Sequence, residues 1–135
     1  MRRPAAACAL ALAASCQGAG AADQPYVIRL AQPAPETIEG LRLDPLFATP
    51  TLSAALASTK ISLPAHYHER HEETVLIIAG TGAMWIDGQR YAVEPGMLIH
   101  VPRGAVHRVE PDGPISALSI FTPPFDGEDR IFVEE

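Results

Sequence analysis

Cysteine is nearly absent, and its only two positions, Cys8 and Cys16, lie in an alanine-rich opening stretch. Removal of that stretch would leave no thiol, which excludes a disulfide framework and cysteine-based catalysis. Long apolar runs are missing as well. The opening run over residues 5–15 is shorter than the roughly 20 residues a bilayer-spanning helix needs, so no transmembrane segment is expected. Basic charge is scarce, with 10 Lys and Arg against 16 Asp and Glu and a formal net charge of −6. Such a balance argues against a nucleic-acid partner, whose phosphates call for basic patches. Helical periodicity of useful length is absent beyond Leu63.

What is present begins with a targeting pattern. Arg2 and Arg3 precede the short apolar run, and Ala19-Gly20-Ala21-Ala22 supplies small residues for cleavage. Residues 1–22 are therefore expected to be an export signal, with the bacterial periplasm as destination. The leader holds two arginines and no acid, so its removal takes the formal charge from −6 to −8. Ala13-Ala14-Ser15-Cys16 also resembles a lipoprotein cleavage box, which leaves anchoring through a lipidated Cys16 open beside ordinary cleavage.

The remainder fits one domain. Residues 23–52 form an arm with weak signals, expected to pack on the barrel or on a second subunit. Within it residues 26–30 could be a strand, and residues 41–47 are apolar but interrupted by Pro45. From residue 53 to 135 short apolar runs alternate with Gly and Pro punctuation. Residues 54–63 alternate poorly, and their alanines would also allow a helix, although Thr59 and Ile61 favour a strand. Residues 74–79 (TVLIIA) read as a buried strand. Asp87-Gly88, flanked by residues 83–86 and 89–93, reads as a two-residue hairpin. Further strands are expected at residues 97–101, through His107 to Val109, at 115–121 and at 130–133. Strands recurring every 8–12 residues predict an all-β antiparallel sandwich or barrel.

Three of the five histidines are His66, His68 and His71, crowded among Glu69, Glu72 and Glu73; the others are His100 and His107. Residues two apart on a strand share a face, so His66 and His68 can project inward together and bind one ion. The pattern His66-Tyr67-His68, four residues, Glu73, six residues, Gly80 resembles the first motif of the cupin superfamily. Gly96, five residues, Pro102-Arg103-Gly104, two residues, His107 resembles the second. The departures are Lys60, where a glycine commonly opens the first motif, and Pro111, where an asparagine often closes the second. Neither position is a metal ligand in the family.

This resemblance implies a jelly-roll barrel of two antiparallel sheets. It further implies one divalent transition metal (Mn, Fe, Ni, Cu, Co or Zn) held by His66, His68, Glu73 and His107. Three imidazoles and a carboxylate suit any of these ions. In a six-coordinate ion two positions would stay open for water, substrate or dioxygen. Glu72 competes with Glu73, but parity with Val75 and Ile77 favours Glu73. His71 is read as a rim residue or a support to the ligands, and His100 as outward-facing. Trp85, Tyr91 and Phe121 are read as packing residues that could also line a pocket. Arg90, Arg103 and Arg108 are read as solvated rim cations, and Glu69 and Arg70 as a charged loop tip. Members of the superfamily include dioxygenases, isomerases and lyases, so the expected activity is on a small chelating organic substrate. The alternative is a binding module, a sensor, scavenger or store that does not turn its ligand over. A homodimer closing a sheet edge is compatible with both.

Overall fold

A computed structural model describes residues 26–134; the leader with its two cysteines, and with it the export and lipid-anchor expectations, lies outside the described residues. The described chain is all-β apart from one short 3-10 turn at Pro35–Thr37. Its strands are β1 (Arg42–Ala48), β2 (Ser53–Thr59), β3 (Leu63–Tyr67), β4 (Glu72–Ala79) and β5 (Gly82–Ile86). They continue as β6 (Gln89–Val93), β7 (Leu98–Val101), β8 (His107–Pro111), β9 (Ile115–Thr122) and β10 (Ile131–Phe132). All pairings are antiparallel, and the strands form two five-stranded sheets ordered β1-β2-β9-β4-β7 and β10-β3-β8-β5-β6.

Period-two burial explains why these segments are strands. In β4 Glu73, Val75 and Ile77 are buried while their neighbours are more exposed. The core between the sheets gathers Val75, Ile77, Met84, Val93, Val101, Ala105, Ile115 and Ala117. The Asp87-Gly88 hairpin forms with both residues at positive φ, 47° and 81°, as a two-residue turn between twisted strands requires. Residues 54–63, where alanine left helix and strand open, form β2 instead: tertiary pairing with β1 and β9 overrides the helix preference of alanine. The burial alternation there is carried by Ala54, Leu56 and Ser58, which register with Ile120, Leu118 and Ser116 of β9 on the sheet face opposite to Val75 and Ile77.

Two local differences from the sequence expectation are instructive. Residues 26–30 are not a strand; Tyr26 and Val27 are almost fully exposed, so β-propensity without a buried face produces no strand. Residues 42–48, despite Pro45, form edge strand β1, with the register shift between Pro45 and Phe47. A residue with no N–H is tolerated at an edge, where one side of the ladder is open. Ile38 ahead of β1 is almost completely buried, which fastens this part of the arm to the sheets.

Gly80 shows why the turn after β4 needs glycine. Its φ is +81°, and a Cβ there would lie 2.2 Å from the Pro114 carbonyl oxygen. No side chain fits that approach. Among the described residues no helix is long and apolar enough to cross a membrane.

Candidate metal centre

Opposite sheets supply the converging side chains. On one sheet His66 of β3 pairs directly across from His107 of β8, and their rings lie 4.2 Å apart between centroids. His68 follows at the end of β3, its ring 5.3 Å from that of His66 and 5.2 Å from that of His107. From the facing sheet Glu73 of β4 points into the same space. All three histidines are buried, His68 to 1% exposure. One nitrogen of each lies within 4.8 Å of the others, a group that could hold a metal ion. Glu73 is not part of that three-residue group, but its Oε2 lies 3.5 Å from His68 Nε2 and 3.4 Å from His107 Nε2.

The backbone fixes which nitrogen of each ring faces inward. His66 Nδ1 donates to the Pro64 carbonyl (2.8 Å), His68 Nδ1 to that of Asp129 (2.5 Å) and His107 Nδ1 to that of Ala105 (3.0 Å). A carbonyl only accepts, so each Nδ1 carries the proton and each Nε2 keeps its lone pair when the ring is neutral. The Nε2 atoms of His68 and His107 are buried without any hydrogen-bond partner. Buried polar atoms are rarely left so. Lone pairs converging beside a carboxylate repel one another unless a cation sits among them. The donor set therefore fits a divalent ion, and the Nδ1 contacts are the outer support expected of metal-binding histidines.

Protonation preferences agree. Burial and the neighbouring His107 lower the His66 pKa to about 4, which keeps it in the ligand-competent neutral form. Burial would raise the Glu73 carboxyl, but contacts from His107 and His68 outweigh it and hold it well below the usual carboxylate range. Burial would lower His68, and the Glu73 carboxylate together with the Asp129 carbonyl outweighs that and raises it. Without an ion, a proton on His68 is the natural partner of Glu73; a metal would displace it.

The other sequence candidates separate cleanly. Glu72 is exposed. His71 is buried, its Nδ1 2.5 Å from Asp129 Oδ2 and its Nε2 3.1 Å from the Pro124 carbonyl, so both ring nitrogens face oxygen acceptors outside the cluster. His100 is exposed on β7. Arg108 does not project freely: its guanidinium lies 3.8 Å from the Trp85 ring centroid and pairs with Glu110, while Arg90 approaches the same ring at 5.4 Å. Arg103 is exposed, and Tyr91 is about half exposed. Phe121 is buried and stacks on Phe125 with centroids 4.5 Å apart.

Sequence reasoning missed the segment after β9. Asp129 is buried, its backbone oxygen accepts from His68, and its carboxylate accepts from the backbone N–H groups of Glu69 and Arg70 as well as from His71. Burial would raise this carboxyl, but the hydrogen bonds from His71 and from those backbone groups lower it to about 2. The next residue, Arg130, lines the interior cavity. That cavity measures about 80 Å³ and is bounded by His66, Glu73, His107 and Arg130, by a few hydroxyls, and otherwise by aliphatic side chains and Phe121. No periodicity marks residues 123–130; a polar stretch ending in Asp129-Arg130 reads as an ordinary turn.

The comparisons with known proteins agree with this construction. The Cupin domain family matches residues 55–121. An uncharacterized protein of Aquifex aeolicus is 32% identical over 99 residues, covering 73% of this chain and 82% of its own length. Quercetin 2,3-dioxygenase of Bacillus subtilis is 48% identical over 42 residues, 31% of this chain but only 12% of that enzyme. The structure of KdgF from a Halomonas species superposes with a TM-score of 0.62 at 22% identity, covering 67% of this chain and 86% of the other. The chain belongs to the cupin family.

Proposed function

We propose that this protein is an exported cupin that binds one divalent transition metal through His66, His68, Glu73 and His107 and acts on a small chelating organic substrate. The observation that carries the proposal is the convergence of imidazole nitrogens, each with its proton turned away to a backbone carbonyl, beside a buried carboxylate. When bound, the ion would polarise or orient an oxygen of a chelating substrate. The chain's own part is to hold three neutral imidazoles in place and to keep a carboxylate ionised against them. It also keeps the substrate space between aliphatic walls, where electrostatic contacts are stronger than in water.

The stretch shared with quercetin 2,3-dioxygenase favours an oxygenase-type activity over a ligand store. The reading includes removal of residues 1–22 in transit to the periplasm and assembly as a homodimer. Amino-terminal sequencing of the protein from cells, and its mass in solution, check these two points. The functional test is metal analysis of the purified protein followed by oxygen uptake and product formation with small enols, diketones and carboxylates. Turnover of one substrate class that disappears on chelation supports the proposal. Bound metal with no turnover of any compound would replace it with a binding module.

A further inference from the structure

The cavity wall carries one charged group that the metal set does not use. Arg130 lines the same space as His66, Glu73 and His107, and its Nε is buried with no hydrogen-bond partner among the described residues. No described carboxylate forms an ion pair with it. A buried Nε–H left without an acceptor is costly unless a ligand completes it.

Its placement is built. The preceding residue, Asp129, is fastened through both its backbone oxygen and its carboxylate. The following residue, Ile131, pairs with Tyr67 in the β10–β3 ladder, and Val133 N–H donates to the Ala65 carbonyl. Arg130 is thus held between two fixed points, which is what a positioned recognition group requires.

Charge and size narrow the occupant. Among the described residues lining the cavity, Glu73 and Arg130 carry the only formal charges besides the histidines, and they cancel. A divalent ion would then leave two positive charges uncompensated between aliphatic walls, so the complementary ligand is an anion. At about 80 Å³ the cavity favours a ligand of few heavy atoms. A guanidinium fork whose Nε–H has no acceptor matches a carboxylate.

We infer that Arg130 is the substrate-positioning residue of this site and that the substrate is a small carboxylate, bound with its carboxylate oxygens toward Arg130 and the metal position. The inference rests on the metal-binding reading for the ion, but the anion subsite is testable without it.

The experiment compares wild type with Arg130→Gln and Arg130→Lys, using oxalate and acetylacetone as probes; both chelate through two oxygens and only oxalate carries carboxylates. In the cobalt(II)-loaded protein, followed by its visible absorption, Arg130→Gln should raise the oxalate Kd at least about tenfold, as expected for losing a charge-assisted hydrogen bond. Its acetylacetone Kd and cobalt content should stay unchanged. Arg130→Lys should recover part of the oxalate affinity. In chelator-treated protein, oxalate should raise the Tm of wild type above a matched chloride control, and this rise should vanish in Arg130→Gln.

Unchanged oxalate affinity in both settings, or an equal loss for acetylacetone, would overturn the inference. A chain that takes up no cobalt defeats the metal reading, and the chelator-treated comparison still decides the role of Arg130. The Tm of each variant without ligand separates a folding defect from lost recognition, and Arg130→Lys preserves the stem and charge where Arg130→Gln folds poorly.

Discussion

The stretch from His66 to Gly80 and the stretch from Pro123 to Val133 serve one site by opposite means. The first delivers side chains by regularity: strand parity puts His66 inward, and β4 parity turns Glu73 in and Glu72 out. The second has one two-residue strand and otherwise irregular backbone, yet it supplies Asp129, which holds His68 and His71, and Arg130, which enters the cavity. Convergence of donors comes from the sheets, and the backbone carbonyls of Pro64 and Ala105 orient His66 and His107 locally, while the orientation of His68 comes from the segment around Asp129. The geometry of the histidine cluster thus depends in part on a residue far from either motif in sequence.

That contrast predicts a graded response. Gly80→Ala strikes the regular part, where a Cβ would meet the Pro114 carbonyl at 2.2 Å with φ at +81°. Relief needs backbone movement between β4 and β9, so a loss of about 2–4 kcal/mol, or failure to fold, is expected in urea unfolding. Retention of wild-type stability would show that the turn is not held as described.

Asp129→Asn strikes the irregular part. The backbone bond to His68 can persist, but the charged clasp on His71 and on the Glu69 and Arg70 amides weakens. Metal affinity should fall, by less than the roughly 10–100-fold expected when a group bonded directly to a ligand is lost, with the fold retained by circular dichroism. An unaltered affinity would reduce the last segment to a passive cover.

Acid sharpens the same comparison. Glu73 and Asp129 both titrate lower in the fold than their ordinary values of 4.5 and 3.8, Asp129 near 2. The unfolded chain then takes up protons first as pH falls, so their stabilising contribution is present above those ordinary values and is lost toward pH 2. His66, lowered to about 4, acts in the same direction from 6.5 downward. His68, raised, opposes it near neutrality, where its contribution is lost as pH rises. The urea midpoint of metal-free protein should therefore drop most steeply below 4.5, and less steeply in Asp129→Asn. Parallel profiles for the two proteins would contradict the assigned role.

The smallest effect is expected at His100. It is exposed on β7, so His100→Ala should leave metal content unchanged and stability within about 0.5 kcal/mol. A loss of metal there would mean the wrong histidines were grouped.

Much of the fold was legible because it depends on local rules. Asp87-Gly88 specified its hairpin, the apolar run after Thr74 its buried strand, and parity separated Glu72 from Glu73. The strand β1 was obscured by Pro45, since edge position is a tertiary property. Asp129 and Arg130 were obscured for a different reason: their roles arise from contacts with residues about sixty positions earlier in the chain, and no spacing rule links the two. Arg108 read as a solvated cation because its stacking partner, Trp85, sits across the β5–β8 register.

The most direct measurement is the metal content of the purified protein, determined by elemental analysis for wild type and for His68→Ala. About one transition-metal ion per chain in wild type, and almost none in a folded His68→Ala, is the expected result. Wild type that takes up no ion when one is supplied, or a variant that keeps a full complement, would contradict the centre described.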